Sequence, residues 1–336
     1  MSTLSDKYIA GFLDADGSIG LQYHKEGQKA SLVINFSQKT SQDKVISLIQ
    51  EKCGGSINYR IVNGESYTAL NVSSSNATKL LNRIKKFLAI KRHYAECCLR
   101  MVGEKVYERE ETKKYLKAQR KELSLPVPKF PPRQWLAGYF DGDGCLSVNS
   151  INKYGHAQIV TAIASSNFDT EGIETICKNF GGKIFPYRDT VKQWRLNLMP
   201  SKAKKFLGYF AKHLIAKKEQ ADFILGCAAM GHYRDGNTIK AALKQLKTHQ
   251  HRLNESGVDI GKLINTVKDL PKPWNKEGLY ECVKCHLNKV EHTALGLCNT
   301  CWYEKHGREY YKQYEKTHTR NRPKRQSEDY IADKAM

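Results

Sequence analysis

Tyr8-Ile-Ala-Gly-Phe-Leu-Asp-Ala-Asp-Gly17 returns later in the chain as Trp135-Leu-Ala-Gly-Tyr-Phe-Asp-Gly-Asp-Gly144, and this pair of stretches decides the fold. Each is a short apolar run that ends in two acids and a glycine. Small residues inside the run (Ala10 and Gly11; Ala137 and Gly138) suit a helix whose backbone must come close to a partner. The closing glycine is expected just past the helix end, where the chain turns with positive φ. Strand-like residues follow at once, Ser18-Ile-Gly-Leu-Gln-Tyr23 and Cys145-Leu-Ser-Val148. Asp16 and Asp143 are thereby set at helix C-termini, whose last carbonyls and negative dipole end attract cations. Packed side by side, two such helices would bring two carboxylates onto one axis. Like charges that close persist only if one is protonated or a metal neutralises them. Hard divalent cations with oxygen ligands answer that need. One copy alone would read equally well as an amphipathic helix with a solvated acidic cap; two copies argue for a shared site.

The repeat runs well beyond the motifs. Asp16 to Gly54 is 38 positions, as is Asp143 to Gly181; Asp16 to Lys91 is 75, and Asp143 to Lys217 is 74. Register kept over such a span marks a duplicated domain. After the first motif, Ile19, Leu21 and Tyr23 alternate with polar residues, and a polar turn leads to a second strand over Ala30–Gln38. Helical spacing follows over 41–52, ending at Gly54-Gly55. Two more strands flank a turn at Asn63-Gly64, and a helix runs through Leu80, Leu81, Ile84 and Phe87. The same αββαββα order returns from Trp135. The fold class is α+β, two pseudo-symmetric αββαββα halves with antiparallel sheets and a small C-terminal module. The halves are expected over 1–103 and 131–235, joined by a linker over 104–130 with a charged helix and Pro126, Pro128, Pro131 and Pro132.

Composition suits a polyanionic partner. Lys+Arg number 55 against 34 Asp+Glu, a formal charge of +21, and the positive residues are spread along the chain. Such a spread fits a long polyanion lying on the folded surface more than one gripped by a basic tail. No apolar run reaches the length of a membrane span and the N-terminus has no signal-peptide pattern, so an intracellular protein with no membrane partner is expected. Of the 10 cysteines, Cys53, Cys97, Cys98, Cys145, Cys177 and Cys227 sit among apolar residues and read as buried thiols of a reducing compartment.

An antiparallel sheet packed on helices leaves its other face for a partner. That face is expected to carry Gln22, His24, Lys29, Ser31, Asn35, Asn58 and Arg60 in the first half. In the second it should carry Ser147, Asn149, Gln158, Gln193, Arg195 and Asn197. Arg, Lys, Asn and Gln pair with base edges, and a β-ribbon fits the major groove of double-stranded DNA. Polar residues on a solvated strand face are ordinary, so the set matters more than any one member.

Over about residues 5–230 the chain resembles the LAGLIDADG homing endonucleases, in the single-chain form that carries both motifs and acts as a monomer. The resemblance implies saddle-shaped sheets and cleavage of both DNA strands with Mg2+ (or Mn2+). It implies that Asp16 and Asp143 hold the metal with help from the carbonyls of Ala15 and Gly142, while Asp14 and Asp141 serve helix packing. It further implies catalytic lysines at Lys91 and Lys217, the latter beside Lys218, and a water-ordering Gln38. The position matching Gln38 in the second half is Ser165, a shorter side chain. An RNA-splicing maturase acting on intron RNA, or a DNA-binding protein without cleavage, is the alternative with this fold. Such proteins commonly lose a motif acid, and both acids are present. No splicing block surrounds the halves, which disfavours an intein.

Beyond 235 the resemblance ends. A basic helical linker is expected over 236–278, a zinc module over 279–315 and a basic, disordered tail over 316–336. Cys282-Val-Lys-Cys285 and Cys298-Asn-Thr-Cys301 are separated by 12 residues. Two such knuckles make a tetrahedral Zn2+ thiolate site, structural and closed. His286 and His292 are the lesser ligand candidates.

Overall fold

The computed structural model describes residues 4–23, 30–40, 43–104, 109–119, 131–153, 155–166, 170–189, 191–229, 233 and 236–248, with three short strands between 279 and 298. The chain falls into two units, 1–269 and 270–336. In the larger unit the first half runs α1 (Asp6–Asp16), β1 (Gly17–Tyr23), β2 (Ala30–Lys39), α2 (Lys44–Cys53), β3 (Ser56–Val62), β4 (Glu65–Ser73) and α3 (Ser74–Ile84). Helices α4 (Arg92–Glu104) and α5 (Arg109–Gln119) follow. The second half repeats the order as α6 (Arg133–Asp143), β5 (Gly144–Ile151), β6 (Ala157–Ser166), α7 (Glu171–Phe180), β7 (Lys183–Arg188), β8 (Val191–Asn197) and α8 (Pro200–Phe210). It ends in α9 (Lys218–Ala229) and α10 (Gly236–Thr248). The smaller unit holds β9 (Leu279–Tyr280), β10 (Val290–Ala294) and β11 (Leu297–Cys298), in the order β11-β10-β9.

Both four-stranded sheets are antiparallel, ordered β1-β2-β4-β3 and β5-β6-β8-β7. Period-2 alternation sets their faces. Leu32, Ile34 and Phe36 of β2 and Trp194 and Leu196 of β8 are buried against the helices, and Asn35, Arg195 and Asn197 between or beside them are exposed. The β3–β4 hairpin closes on Asn63 (φ 51) and Gly64 (φ 77), the two left-handed positions a type I′ turn demands.

The seam between the halves is the pair α1 and α6. A Cβ on Gly11 would lie 2.0 Å from the Trp135 carbonyl oxygen, and one on Gly138 would lie 2.1 Å from that of Tyr8. No side chain fits there, so the small residues of the motifs exist to let two backbones touch. The motif-closing glycines need a different account from the expected one. Gly17 has φ −100 and Gly144 φ −75, both ordinary extended backbone. What they require is space: a Cβ would lie 2.8 Å from Leu13 Cα in one case and 2.4 Å from the Phe140 carbonyl oxygen in the other. The chain passes from helix straight into strand, tight against the last turn.

Two further expectations change. Cys145 is exposed, on the polar face of β5, while Cys97, Cys98 and Cys227 are buried. The charged helix expected in the linker is present as α5, and it is packed: Leu116 is buried, and Gln119 Oε1 lies 2.5 Å from His93 Nε2 of α4. Helix α10 belongs to the second half, with Ile239, Ala242, Leu243 and Leu246 buried and the Gly236 N–H donating to the Gly155 carbonyl at 2.6 Å. The expected zinc ligands Cys282, Cys285 and Cys301, with the basic tail, lie outside the described residues; Cys298 is placed only as part of β11. Among the described residues no helix is long and apolar enough to cross a membrane.

Candidate active site

The first acid of each motif is structural, and it ties the halves together. Asp14 accepts the backbone N–H groups of Ala89 and Lys91, each at 2.8 Å, and the Trp135 indole N–H at 2.9 Å. Asp141 accepts the N–H groups of Ile215 (2.7 Å), Ala216 (3.2 Å) and Lys217 (2.8 Å), and the Tyr8 hydroxyl at 2.5 Å. Tyr8 and Trp135 are equivalent positions, the first residue of each motif. Each half therefore donates from its first motif residue to the first acid of the other. Burial pushes both carboxyls up from the usual range, and these donors pull in the opposite direction. The Tyr8 hydroxyl is held protonated by burial and by the Asp141 charge. The expected packing role of Asp14 and Asp141 thus has a definite form, a reciprocal clasp that the sequence did not disclose.

The same loops carry the lysines to the helix ends. Lys91 Nζ donates to the carbonyls of Leu13 (2.7 Å), Asp14 (2.9 Å), Ala15 (3.2 Å) and Gly17 (2.8 Å). Lys217 Nζ donates to those of Phe140 (3.0 Å), Asp141 and Gly142 (3.1 Å). Lys218, its neighbour, turns away to an ion pair with Asp222 at 2.7 Å. Each ammonium thus caps the C-terminus of its own motif helix, where the orphan carbonyls and the dipole favour a cation.

Asp16 and Asp143 stand just past these caps, and the two ends meet. A Cβ on Gly142 would lie 2.4 Å from Ala15 Cβ and 3.2 Å from the Asp16 N atom. Burial pushes the Asp16 carboxyl up, and the ammonium groups of Lys217 and Lys91 and the Gln38 amide act against it. Burial also pulls the Lys217 ammonium down from its ordinary value, against the attraction of Asp141, Asp16 and Asp143. One lysine therefore sits within the field of both motif acids. Gln38 crosses the seam, its Nε2 donating to the Asp141 carbonyl at 3.1 Å. Ser165, at the matching position, is buried as well.

The donors fit a hard divalent cation: two carboxylates and helix-end carbonyls, oxygen throughout. Ala15 and Gly142 make the longest lysine contacts of those with stated distances, and a carbonyl has a second lone pair. The buried Gln38 Oε1 is without a protein partner, so a polar atom stands ready for a hydrated ion. Among the described residues no group of three or more His, Cys, Asp or Glu comes together. The site would complete any coordination sphere with water or phosphate oxygen.

The polar faces of the sheets bear the expected contact residues. Gln22, Asn35, Asn58 and Arg60 are exposed, Ser31 is half-buried, and Arg60 donates to Ser37 at 2.9 Å. In the second half Asn149, Gln158, Arg195 and Asn197 are exposed, with Ser147 and Gln193 half-buried. His24 and Lys29 lie outside the described residues. Cross-strand register adds members: Ser18, Asn71 and Ser56 line up with Asn35, and Cys145 and Lys183 with Arg195. Alternation with Leu70 and Val72 already signals Asn71. A register slip between Val148 and Ser150 was not signalled by any residue pattern, and it lets Ser150 join Asn149 in donating to Gln158.

A sequence model of the LAGLIDADG endonuclease family matches residues 9–99 and 136–230, more than half of the chain. The uncharacterised cox1 intron-2 37.2 kDa protein of Schizosaccharomyces pombe is 26% identical over 93 residues, covering 28% of this chain and 28% of that protein. The meganuclease I-AabMI bound to uncleaved DNA is similar in structure, with TM-score 0.56 at 13% identity over 72% of this chain and 98% of that one. So is I-SmaMI bound to an uncleaved DNA target with calcium ions, with TM-score 0.53 at 19% identity over 79% and 99%. I-GzeII in complex with its DNA target gives TM-score 0.51 at 15% identity over 81% and 99%. At these identities the likeness is one of fold.

Proposed function

The chain belongs to the LAGLIDADG endonuclease family, and on that footing we propose that it cuts both strands of a long, asymmetric DNA site. The observation that carries the proposal is the meeting of two acid-bearing helix ends, each with its own lysine, beside two sheets with polar outer faces. Structures of similar fold hold DNA. Asp16 and Asp143, with the carbonyls of Ala15 and Gly142, would hold Mg2+ or Mn2+. When bound, the metal supplies a polarised water and charge neutralisation for in-line displacement at phosphorus. Lys91 and Lys217 hold positive charge beside the acids, where negative charge develops on the phosphate. Gln38 orients water at one end, and Ser165 does so less firmly at the other. The polar sheet faces lie in adjacent segments of the major groove, over on the order of two turns of 10–10.5 bp. The zinc module, Cys282, Cys285, Cys298 and Cys301, extends the DNA contact and takes no part in chemistry.

The site is intact in both acids, which favours cleavage over the maturase alternative. The match to a protein named for a cox1 intron keeps intron mobility as the natural setting. Purified protein and Mg2+ should cut the uninterrupted junction sequence that flanks the reading frame in its genome. Calcium in place of magnesium should leave binding and remove cutting. Duplex that stays uncut under Mg2+ and Mn2+, with RNA of the surrounding intron bound instead, would overturn the reading in favour of the maturase.

A further inference from the structure

Helix α10 brings a cation to the edge of the second sheet. Its apolar side is buried, and its first residue is pinned at Gly155, beyond the far end of β5. From there it runs back along β5, until Lys247 Nζ lies 3.7 Å from Cys145 Sγ. A thiol is a weak acceptor, so this contact leaves the ammonium well able to take a stronger anion. Cys145 is only two residues past Asp143, so Lys247 stands near the second acid end.

Cys145 also begins a row that crosses the whole sheet in register: Cys145, Ala162, Arg195, Lys183. Arg195 and Lys183 are exposed on the polar face. Lys247 therefore completes a line with cations at both ends and one between. With strands about 4.8 Å apart, the four-stranded row is roughly 14 Å long. That length is on the scale of the major groove, about 12 Å wide, so cations at the ends of the row can reach backbone phosphates. The matching row of the first half is Ser18, Asn35, Asn71 and Ser56, neutral throughout. Helix α10 also begins past residue 230, where the family match stops.

We propose that Lys247, Arg195 and Lys183 form a backbone-phosphate clamp on the second half, beside the Asp143 end, with no counterpart in the first half's row. The proposal rests on the endonuclease reading only for its choice of duplex DNA as the polyanion. The second half would hold its half-site by charge near the centre, and the first by hydrogen bonds to bases.

The test uses the full-length protein and a duplex selected by the wild type from a randomised pool. Lys247→Ala should lower the log–log salt slope of binding by about 0.9, the value for one phosphate contact. Ethylation of phosphates on the second half's side of the centre should interfere with wild-type binding and no longer with the variant's. Lys247→Arg should restore both. Lys183→Ala, on an edge strand away from α10, should give the same drop in slope without touching that helix. Unchanged slope and interference in Lys247→Ala, or an unchanged slope in Lys183→Ala, would overturn the clamp. A wild type that binds but does not cut would sink the endonuclease reading alone and leave the slopes to decide this one. A pool that enriches no duplex would sink both.

Discussion

The two halves share a frame and differ in what covers it. Both place a buried first acid on the backbone of a lysine-bearing loop, and both cap the motif helix with that lysine. The caps are unequal, however. Lys91 is half-buried and reaches four carbonyls, whereas Lys217 is buried and reaches three. Gln38 crosses the seam to the Asp141 carbonyl, and the equivalent position holds Ser165, a shorter side chain. On the outer faces the divergence is larger. Asn58 and Arg60 of β3 stand where β7 has Phe185 and Tyr187, both exposed. Duplication has preserved what the shared seam demands of each copy. It has released what each copy presents to a partner, which suits an asymmetric site.

The seam should be the least tolerant place in both halves. Gly11→Val and Gly138→Val each drive a side chain into a backbone carbonyl, so each should cost at least about 3 kcal/mol, the upper end of ordinary overpacking. Thermal unfolding measures this, with Gly208→Ala as control: a Cβ there meets nothing within 4 Å. A stable, folded Gly138→Val protein would break the claim that the halves share one seam.

The acids come next in size. Asp16→Asn and Asp143→Asn should each lower double-strand cleavage on the order of 10²-fold or more, while duplex binding persists because neither acid meets a base. Wild-type cutting in either single variant would show that the halves do not contribute equally.

Lys91→Met and Lys217→Met should slow cutting without lowering metal content, since each ammonium acts beside the metal ligands. Their stability costs should differ. Losing the lysine leaves helix-end carbonyls without their donor, at about 1–3 kcal/mol for a buried unsatisfied group and less where water can replace it. Denaturant titration should therefore find Lys217→Met the more destabilised. Equal costs would remove the distinction drawn between the caps.

A smaller effect is expected from the C-terminal segment. Since α10 belongs to the second half, the informative truncation falls after residue 248, not at 235. Such a chain should cut the same position with a shorter footprint. Its salt slope should fall by about 0.9 for every phosphate that the removed segment would have neutralised. Cys282→Ser with Cys285→Ser should mimic it, because small thiolate modules seldom fold without zinc. An unchanged footprint with a lowered melting temperature would mean that the module stabilises the fold instead. The smallest change should come from Ser165→Gln, which makes the two water-ordering positions alike. The ratio of the two strand-nicking rates should move a few-fold toward unity; no movement would detach Gln38 from solvent ordering.

The duplication, the αββαββα order and the polar sides of the strands follow from the residues alone, because apolar periodicity and the motif spacing are local properties of the chain. Asp16 and Asp143 could be singled out for the same reason; Lys91 and Lys217 are reached only through the resemblance to the LAGLIDADG enzymes, although they stand at matching intervals from the acids. What the two lysines touch could not be read from the chain. Their caps join positions more than 70 residues apart, and no local pattern encodes which carbonyl an ammonium reaches. The Tyr8–Asp141 and Trp135–Asp14 clasp joins the halves and exists only once α1 and α6 are pressed together. The conformation of Gly17 and Gly144 was decided the same way. A glycine after a helix suggests a left-handed turn, but here crowding against Leu13 and Phe140 selects it instead. Register is likewise collective: only hydrogen-bonded pairing across four strands puts Lys183, Arg195 and Cys145 in one line. Only the packing of the apolar side of α10 brings Lys247 to the end of that line.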